Sequence, residues 1–424
     1  MVWRTSLIVE SARLLRERQL KLLFAAQTIS VFGDMLVPVA LAFAVLELTG
    51  SPADLGLVLF ARFLPMVAFF LVGGVYGDRF ERRSVMIVSN LANLVIQVLL
   101  GALLVTGHAQ IWEVVALSAA KGTATAFFLP AANSILPQLV PPDRVQSAYG
   151  LLATVQSSAS VIGPAVAGVL VATVGAGWAI LGDAATFAIA SALLAQLDRL
   201  GRPARTEAGT FFRDLRTGWQ EVRTRTWLWV LIASSSVFQL VVLAAVNVLG
   251  PVVAIRSLGG AGAWTAIVVA LGVGSVLGGV ASVHLRPRRP LRTGYLLMLA
   301  AGGPSLALLA LPAPVPILAL AELGTGFSIG VMGTLETTLL ADKIPSEALA
   351  RVHAYDWLGS MALRPLGLAA IGPIAEVAGL RETLFAASAI TFCVILWPLA
   401  HPSVRNLRAG RDEPQALASD PLIA

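Results

Sequence analysis

Charge and cysteine are what this 424-residue chain has least of. Only 13% of its residues are Asp, Glu, Lys or Arg, where a soluble domain carries about 25%. Its one cysteine, Cys393, sits in an apolar run and excludes both an internal disulfide framework and a cysteine metal site. No His/Cys/Glu cluster has metal-ligand spacing, so no metal is expected. No Walker-type glycine-rich loop is present, which excludes ATP chemistry. Ser234-Ser235-Ser236 has no histidine in helical register with it and reads as helix packing. Residues 1–21 hold five basic residues and no small-residue cleavage pattern, so no cleaved signal peptide is expected. What the chain does have is apolar sequence, 57% of residues with a mean hydropathy of +0.81. It is a polytopic membrane protein with no soluble stretch long enough to form a domain.

Twelve apolar spans can be drawn, at 21–46, 53–76, 84–106, 111–136, 149–174, 177–197, 227–250, 262–285, 291–312, 315–340, 352–378 and 380–400. Each is near the roughly 20 residues a helix needs to cross a bilayer. The sequence pI near 10.1 does not imply nucleic acid, because the basic residues lie in loops. Of 30 Lys and Arg, 25 fall on one side of the spans, two (Arg256, Arg381) on the other, and three (Arg62, Lys121, Arg364) inside spans. That bias predicts both termini in the cytoplasm. The expected organisation is a cytoplasmic amphipathic N-terminus (1–20), a six-helix bundle (21–197), a basic cytoplasmic linker (198–226), a second bundle (227–400) and a cytoplasmic tail (401–424). Ile8 to Leu23 suits a helix lying on the inner leaflet. The four Trp between 219 and 264 read as interface anchors. The halves repeat: Gly73-Gly74-Val75 matches Gly278-Gly279-Val280, Val140-Pro141 matches Ile344-Pro345, and Ile162-Gly163-Pro164 matches Ile371-Gly372-Pro373, at offsets of 205, 204 and 209. Three matches in order predict an all-α fold of twelve transmembrane helices in two parallel-repeat six-helix bundles.

Ionisable residues inside spans cost roughly 2.5–3.5 kcal/mol at mid-helix on insertion scales, so they mark interiors and functional sites. Asp34 continues a stripe with Gln27 and Ser30 in span 1. Arg62 in span 2 and Lys121 in span 4 lie at comparable depth, and together with Asp34 they suggest one shared polar site. Span 10 carries Glu322, Thr325 and Glu336; span 7 carries Gln239 and Asn247; span 11 presents Asp356, Ser360 and Arg364 at i, i+4 and i+8. The structural alternative is ion pairs that only hold helices together, above all Arg364 with Asp356. Asp183 and Glu376 read as interfacial. A cation beside Asp34 would hold it ionised, in which case Glu322 and Glu336 are the remaining proton carriers.

Between spans 2 and 3 lies Gly74-Val75-Tyr76-Gly77-Asp78-Arg79-Phe80-Glu81-Arg82-Arg83. This Gly-x-x-x-Asp-Arg-x-x-Arg-Arg run resembles the signature loop between helices 2 and 3 of the major facilitator superfamily, and departs from it at Glu81. The second-half copy, Val283 to Arg289, keeps the basic end without the Asp. Span 5, with Gly150, Ala159, Gly163-Pro164 and Ala167-Gly168, resembles the superfamily's antiporter element at four of six positions. Close helix packing is the alternative reading of that element. Phe32-Gly33-Asp34, Ala53 to Leu57, Phe63-Leu64-Pro65 and Phe127 to Asn133 resemble the drug and siderophore exporter branch, the enterobactin-exporter-like and macrolide-efflux-like proteins. Lys121 stands where the wider family has Arg. The resemblance implies that Gly74, Asp78, Arg79, Arg82, Arg83 and Asp356 gate the cytoplasmic side. Asp34, Arg62, Lys121, Gln27, Glu322, Glu336, Gln239, Asn247 and Arg364 are the candidate substrate or proton contacts. It further implies a monomeric, proton-driven exporter of a hydrophobic or amphipathic small molecule in the inner membrane, working by alternating access without cofactor, with protons and membrane lipid as its other partners. The alternatives are a lysophospholipid flippase, a small-solute uptake permease, or a membrane sensor or scaffold that moves nothing.

Overall fold

The computed structural model describes residues 17–141, 144–198, 218–285 and 287–410, and the backbone alone at 71–79, 346, 347 and 350. Twelve helices are long and apolar enough to span a membrane. They are α1 (Arg18–Thr49), α2 (Pro52–Arg79), α3 (Arg82–Val105), α4 (Ile111–Leu139), α5 (Val145–Thr173), α6 (Ala176–Leu194), α7 (Thr226–Leu258), α8 (Ala261–Ser282), α9 (Pro290–Ala310), α10 (Val315–Lys343), α11 (Ser346–Met361 and Arg364–Ala378) and α12 (Leu380–Ala400). Each expected span has its helix. The N-terminal amphipathic segment falls almost wholly outside the described residues, as does most of the 198–226 linker.

Four spans that read as continuous are interrupted. α1 is two segments, Arg18–Asp34 and Val37–Thr49, with Pro38 in the first turn of the second. Proline has no N–H to donate and disfavours helix in the residue before it, so the chain turns through Met35 and Leu36. Pro365 follows the break in α11 in the same way. α7 widens to π-helix at Gln239–Leu243 and Ala254–Leu258, and α9 at Met298–Gly302. Such insertions kink helices and gather at functional positions.

Packing follows the repeat. α1 packs on α6, α2 on α4 and α3 on α6 in the first bundle, and α8 on α10 in the second. Between bundles, α2 packs on α11 and α5 on α8. Both termini lie at one face. At the opposite face the cores of the two bundles merge into a single apolar cluster, from Leu41 and Val58 through Val248 and Leu249 to Leu368 and Leu384. Glycine makes this closeness possible: a Cβ on Gly56 would strike the Leu368 carbonyl, and one on Gly372 the Pro52 carbonyl. Towards the termini the core divides in two. Leu20, Leu23, Met86, Ile135 and Leu194 pack within the first bundle, and Leu228, Leu291, Leu339 and Val352 within the second. The bundles share one core at the far face, while towards the termini face the described cores stay within their own bundles and α2 and α11 meet through Phe70 and Trp357, ring centroids 4.3 Å apart.

Two of the four tryptophans are not interface anchors. Trp227 and Trp264 are 8% and 5% exposed, and the Trp264 ring fills the space left open by Gly250. Trp219 and Trp229 are exposed.

Candidate functional site

The break in α1 places Asp34 at the end of its first segment, facing α4 and α6. Lys121 Nζ lies 3.1 Å from Asp34 Oδ1 and 2.9 Å from Asp183 Oδ2. Gln97 Nε2 of α3 donates to the same Asp183 oxygen, and the ammonium stands 4.6 Å from the Phe187 ring centroid. Lys121 and Asp183 are fully enclosed, while the Asp34 side chain is 32% exposed. The site is therefore one cation shared by two carboxylates, with a single open side at Asp34. Ionised throughout, the three groups sum to one negative charge, and one added proton neutralises them.

Asp34 and Lys121 meet as the sequence suggests, and Arg62 does not join them. It comes from α2 at similar depth but faces the bundle interface, within electrostatic reach of Arg364, and its carbonyl packs against Gly122 of α4. The third member is Asp183, which is buried and not interfacial. Gln27 and Ser30 are buried along the same face of α1.

The second bundle is arranged differently. Arg364 does not pair with Asp356: its guanidinium lies 4.1 Å from the Phe63 ring of the first bundle and 4.0 Å from Met361 Sδ. The turn between the two segments of α11 swings it away from the Asp356 face. Asp356 instead lines one cavity with Glu336. Glu322 is buried against the Ser305 hydroxyl. Among the described residues no Lys or Arg lies within ion-pair distance of these three carboxyls. A cavity of about 380 Å³ opens beside Glu336 and Asp356, walled by Gln239, Tyr295, His353 and Trp357. Gln239 donates to Met361 Sδ at 3.0 Å, and its Oε1 has no partner. Asn247 is turned back on its own helix, donating to the Leu243 carbonyl at 2.6 Å.

The hairpin after α2 is described only in part, and the side chains of Gly74, Asp78 and Arg79 lie outside the described residues. Arg82 donates to the Ser134 carbonyl at 2.7 Å, and Arg83 to the carbonyls of Leu194 and Ala195 at 2.9 and 2.7 Å. Both bind α3 to its own bundle by satisfying carbonyls of α4 and at the end of α6. In the α5 element Gly163 abuts Met35 at the α1 break, Gly168 abuts Thr265 of α8, Pro164 is buried, and Gly150 faces open space. At the far face Glu376 Oε1 accepts from Ser51 Oγ at 2.7 Å and from the Ala53 N–H at 3.2 Å. Glu376, exposed at the far-face end of α11, thus latches α11 to the start of α2 across the bundle boundary.

Two six-helix bundles that share a core at one face and hold charges inside their spans are the build of a transporter. The chain belongs to the Major Facilitator Superfamily, whose family model matches residues 23–368. It is 24% identical over 382 residues to macrolide efflux protein A of Streptococcus pyogenes, covering 88% of this chain and 93% of that protein. It is 26% identical over 389 residues to the multidrug efflux pump Tap of Mycolicibacterium fortuitum, covering 87% and 92%. A shorter match, 30% over 157 residues, joins it to the uncharacterized MFS-type transporter YfiS of Bacillus subtilis strain 168, covering 37% of this chain and 36% of that protein. In fold it is similar to a bacterial homolog of the human lysosomal transporter Spinster (TM-score 0.70, 16% identity, 93% and 99% covered) and to a D-xylose-proton symporter (TM-score 0.71, 13% identity, 92% and 99% covered).

Proposed function

We propose that this protein exports a hydrophobic or amphipathic small molecule across the inner membrane in exchange for protons. It works as a monomer with both termini in the cytoplasm, and its bundles rock between two closed faces. The observation that carries this reading is Lys121 shared between Asp34 and Asp183, with Asp34 the one partly exposed member of the three. A proton or a cationic substrate at Asp34 competes with Lys121 for the same carboxylate. Such competition makes the occupancy of one ligand depend on the other, which is what exchange requires. The efflux relatives support export over uptake.

The substrate side is the cavity beside Glu336 and Asp356. Its acidic groups and the Trp357 face suit an amphipathic cation, through charge and cation–π attraction. Glu376 holds the far face shut in the conformation described, and the Asp78 hairpin closes the termini face in the opposite one. The test is transport by the purified protein in liposomes under an imposed pH gradient. Substrate should accumulate against its concentration, and a protonophore should abolish the accumulation. Movement that ignores the gradient would contradict exchange, and a protein that binds cations without moving any would be a scaffold.

A further inference from the structure

Behind the Asp34–Lys121–Asp183 site the first bundle holds more buried polar side chains than the site uses. Asn90, Asn93 and Gln97 lie at i, i+3 and i+7 on α3 and are 1%, 2% and 0% exposed. Gln27 and Ser30 of α1 and Ser191 of α6 are buried as well. The register is pinned at both ends. Gln97 meets Asp183 and Gly101 meets Leu181, while Arg83 meets Leu194 and Ala195. Asn90 and Asn93 therefore stand opposite 187–191 of α6. On α1, Gly33 meets Asp183 and Thr186, and Gln19 meets Asp198, which sets Gln27 and Ser30 at the same levels.

These groups are left over. Both polar atoms of Asn90, Oδ1 of Asn93, Oε1 of Gln97, Nε2 of Gln27 and Oγ of Ser191 are buried without a protein partner. Each buried unsatisfied group costs about 1–3 kcal/mol. Native interiors do not keep several in one place unless they serve something. The column runs along α3 from Gln97 to Asn90, seven residues or about 10 Å at 1.5 Å per residue. It ends about two helical turns short of the start of α3, at a plug of Leu23, Met86 and Leu194. Amides and hydroxyls both donate and accept, so they can hold a file of water molecules between an acid and a face.

We propose that this column is the route by which protons pass between Asp183 and the termini face, separate from the space the substrate uses, with the Leu23–Met86–Leu194 plug as its barrier to leakage. This rests on the proton-exchange reading above. It divides the labour of the site: Asp34 opens to the substrate side, Asp183 to the column, and Lys121 stands between them.

The test is the Asn90→Leu/Asn93→Leu double variant in the full-length chain. Leucine nearly matches asparagine in size and removes the unsatisfied groups. The variant should melt at or above the parent's temperature and bind substrate within about twofold. Its pH-driven transport in liposomes should fall at least tenfold. The Asn90→Ser/Asn93→Ser variant, which keeps polar groups and room for water, should retain transport. Met86→Ser should do the reverse of the leucine pair, raising proton leak in substrate-free liposomes, read with an enclosed pH dye. Full coupling in the leucine variant would overturn the route. So would a loss of stability without loss of coupling, or an unchanged leak in Met86→Ser. The leak assay needs no substrate, so it judges the column even if the parent protein does not exchange protons for substrate, in which case the exchange reading alone fails.

Discussion

The two bundles descend from one repeat but handle buried charge in opposite ways. In the first, a cation is enclosed between two carboxylates and an aromatic ring. In the second, Glu336 and Asp356 line a cavity with His353, Glu322 is buried, and the nearby arginine, Arg364, is held by Phe63 across the bundle boundary. The first bundle thus carries its own cation, and protons taken up or released there act on the two carboxylates that share it. The second is an acid-lined cavity in which, among the described residues, no Lys or Arg lies within ion-pair distance of the carboxyls.

The largest effect expected from breaking this contrast is at Lys121. Removing one partner of a buried ion pair costs about 3–5 kcal/mol, because the other charges remain enclosed. Lys121→Met should lower the thermal stability of the purified protein steeply and abolish transport. Adding Asp183→Asn should recover most of the stability and none of the transport. If Lys121→Met alone melts like the parent, the first bundle does not depend on its cation and the contrast is false. Asp34→Asn comes next. Asp34 is the exposed partner, so the amide should leave expression near normal while cutting active transport severely. Unchanged transport in liposomes would make Asp34 a structural residue.

These two positions also mark how far sequence reasoning reaches. The twelve helices were legible because length and hydropathy are properties of one segment at a time. The repeat was legible because Gly and Pro recur at nearly constant offset. Depth was legible too: Arg62 and Lys121 do lie about equally far along their helices. Azimuth was not. Arg62 faces the bundle boundary and Asp183 faces the bundle interior, and nothing in a single helix states which neighbour lies opposite. Likewise Arg364 was expected on the Asp356 face because span 11 was taken as one helix, and the break at Met361 rotates the two apart. Asn90, Asn93 and Gln97, three amides on one face of an apolar helix, are the sequence signal of the buried column.

The acidic cavity gives a smaller and more selective expectation. Glu336→Gln and Asp356→Asn keep the shape and restore a donor–acceptor pair, so stability should move by less than about 1 kcal/mol. Equilibrium binding of a hydrophobic cation should weaken about tenfold, in line with loss of a charge-assisted contact, while a neutral compound of similar shape should bind as before. Proton leak in substrate-free liposomes should not change. Equal weakening for neutral and cationic compounds would mean that the carboxyls shape the cavity and do not recognise charge.

The smallest expected effect lies where the bundles meet. Glu376 accepts two hydrogen bonds from the start of α2, from the Ser51 hydroxyl and the Ala53 N–H. The second also satisfies one of the free amides of that helix end. Both bonds exist only while the far face is shut, so removing them destabilises one state of the cycle and not the fold. Glu376→Ala should shift the balance towards the far-side-open state by about 1 kcal/mol, or about fivefold in population. Spin labels at positions 57 and 377, both exposed at the far-face ends of α2 and α11, should then show a larger share of long distances. Glu376→Gln, which keeps the accepting oxygen, should shift it less. Asp78→Asn, acting on the opposite face, should move the balance the other way, lengthening distances between labels near 80 and 287. If the Ala variant gives the parent's distance distribution, the apolar seal around Leu368 and Gly56 closes the far face unaided, and Glu376 only caps a helix.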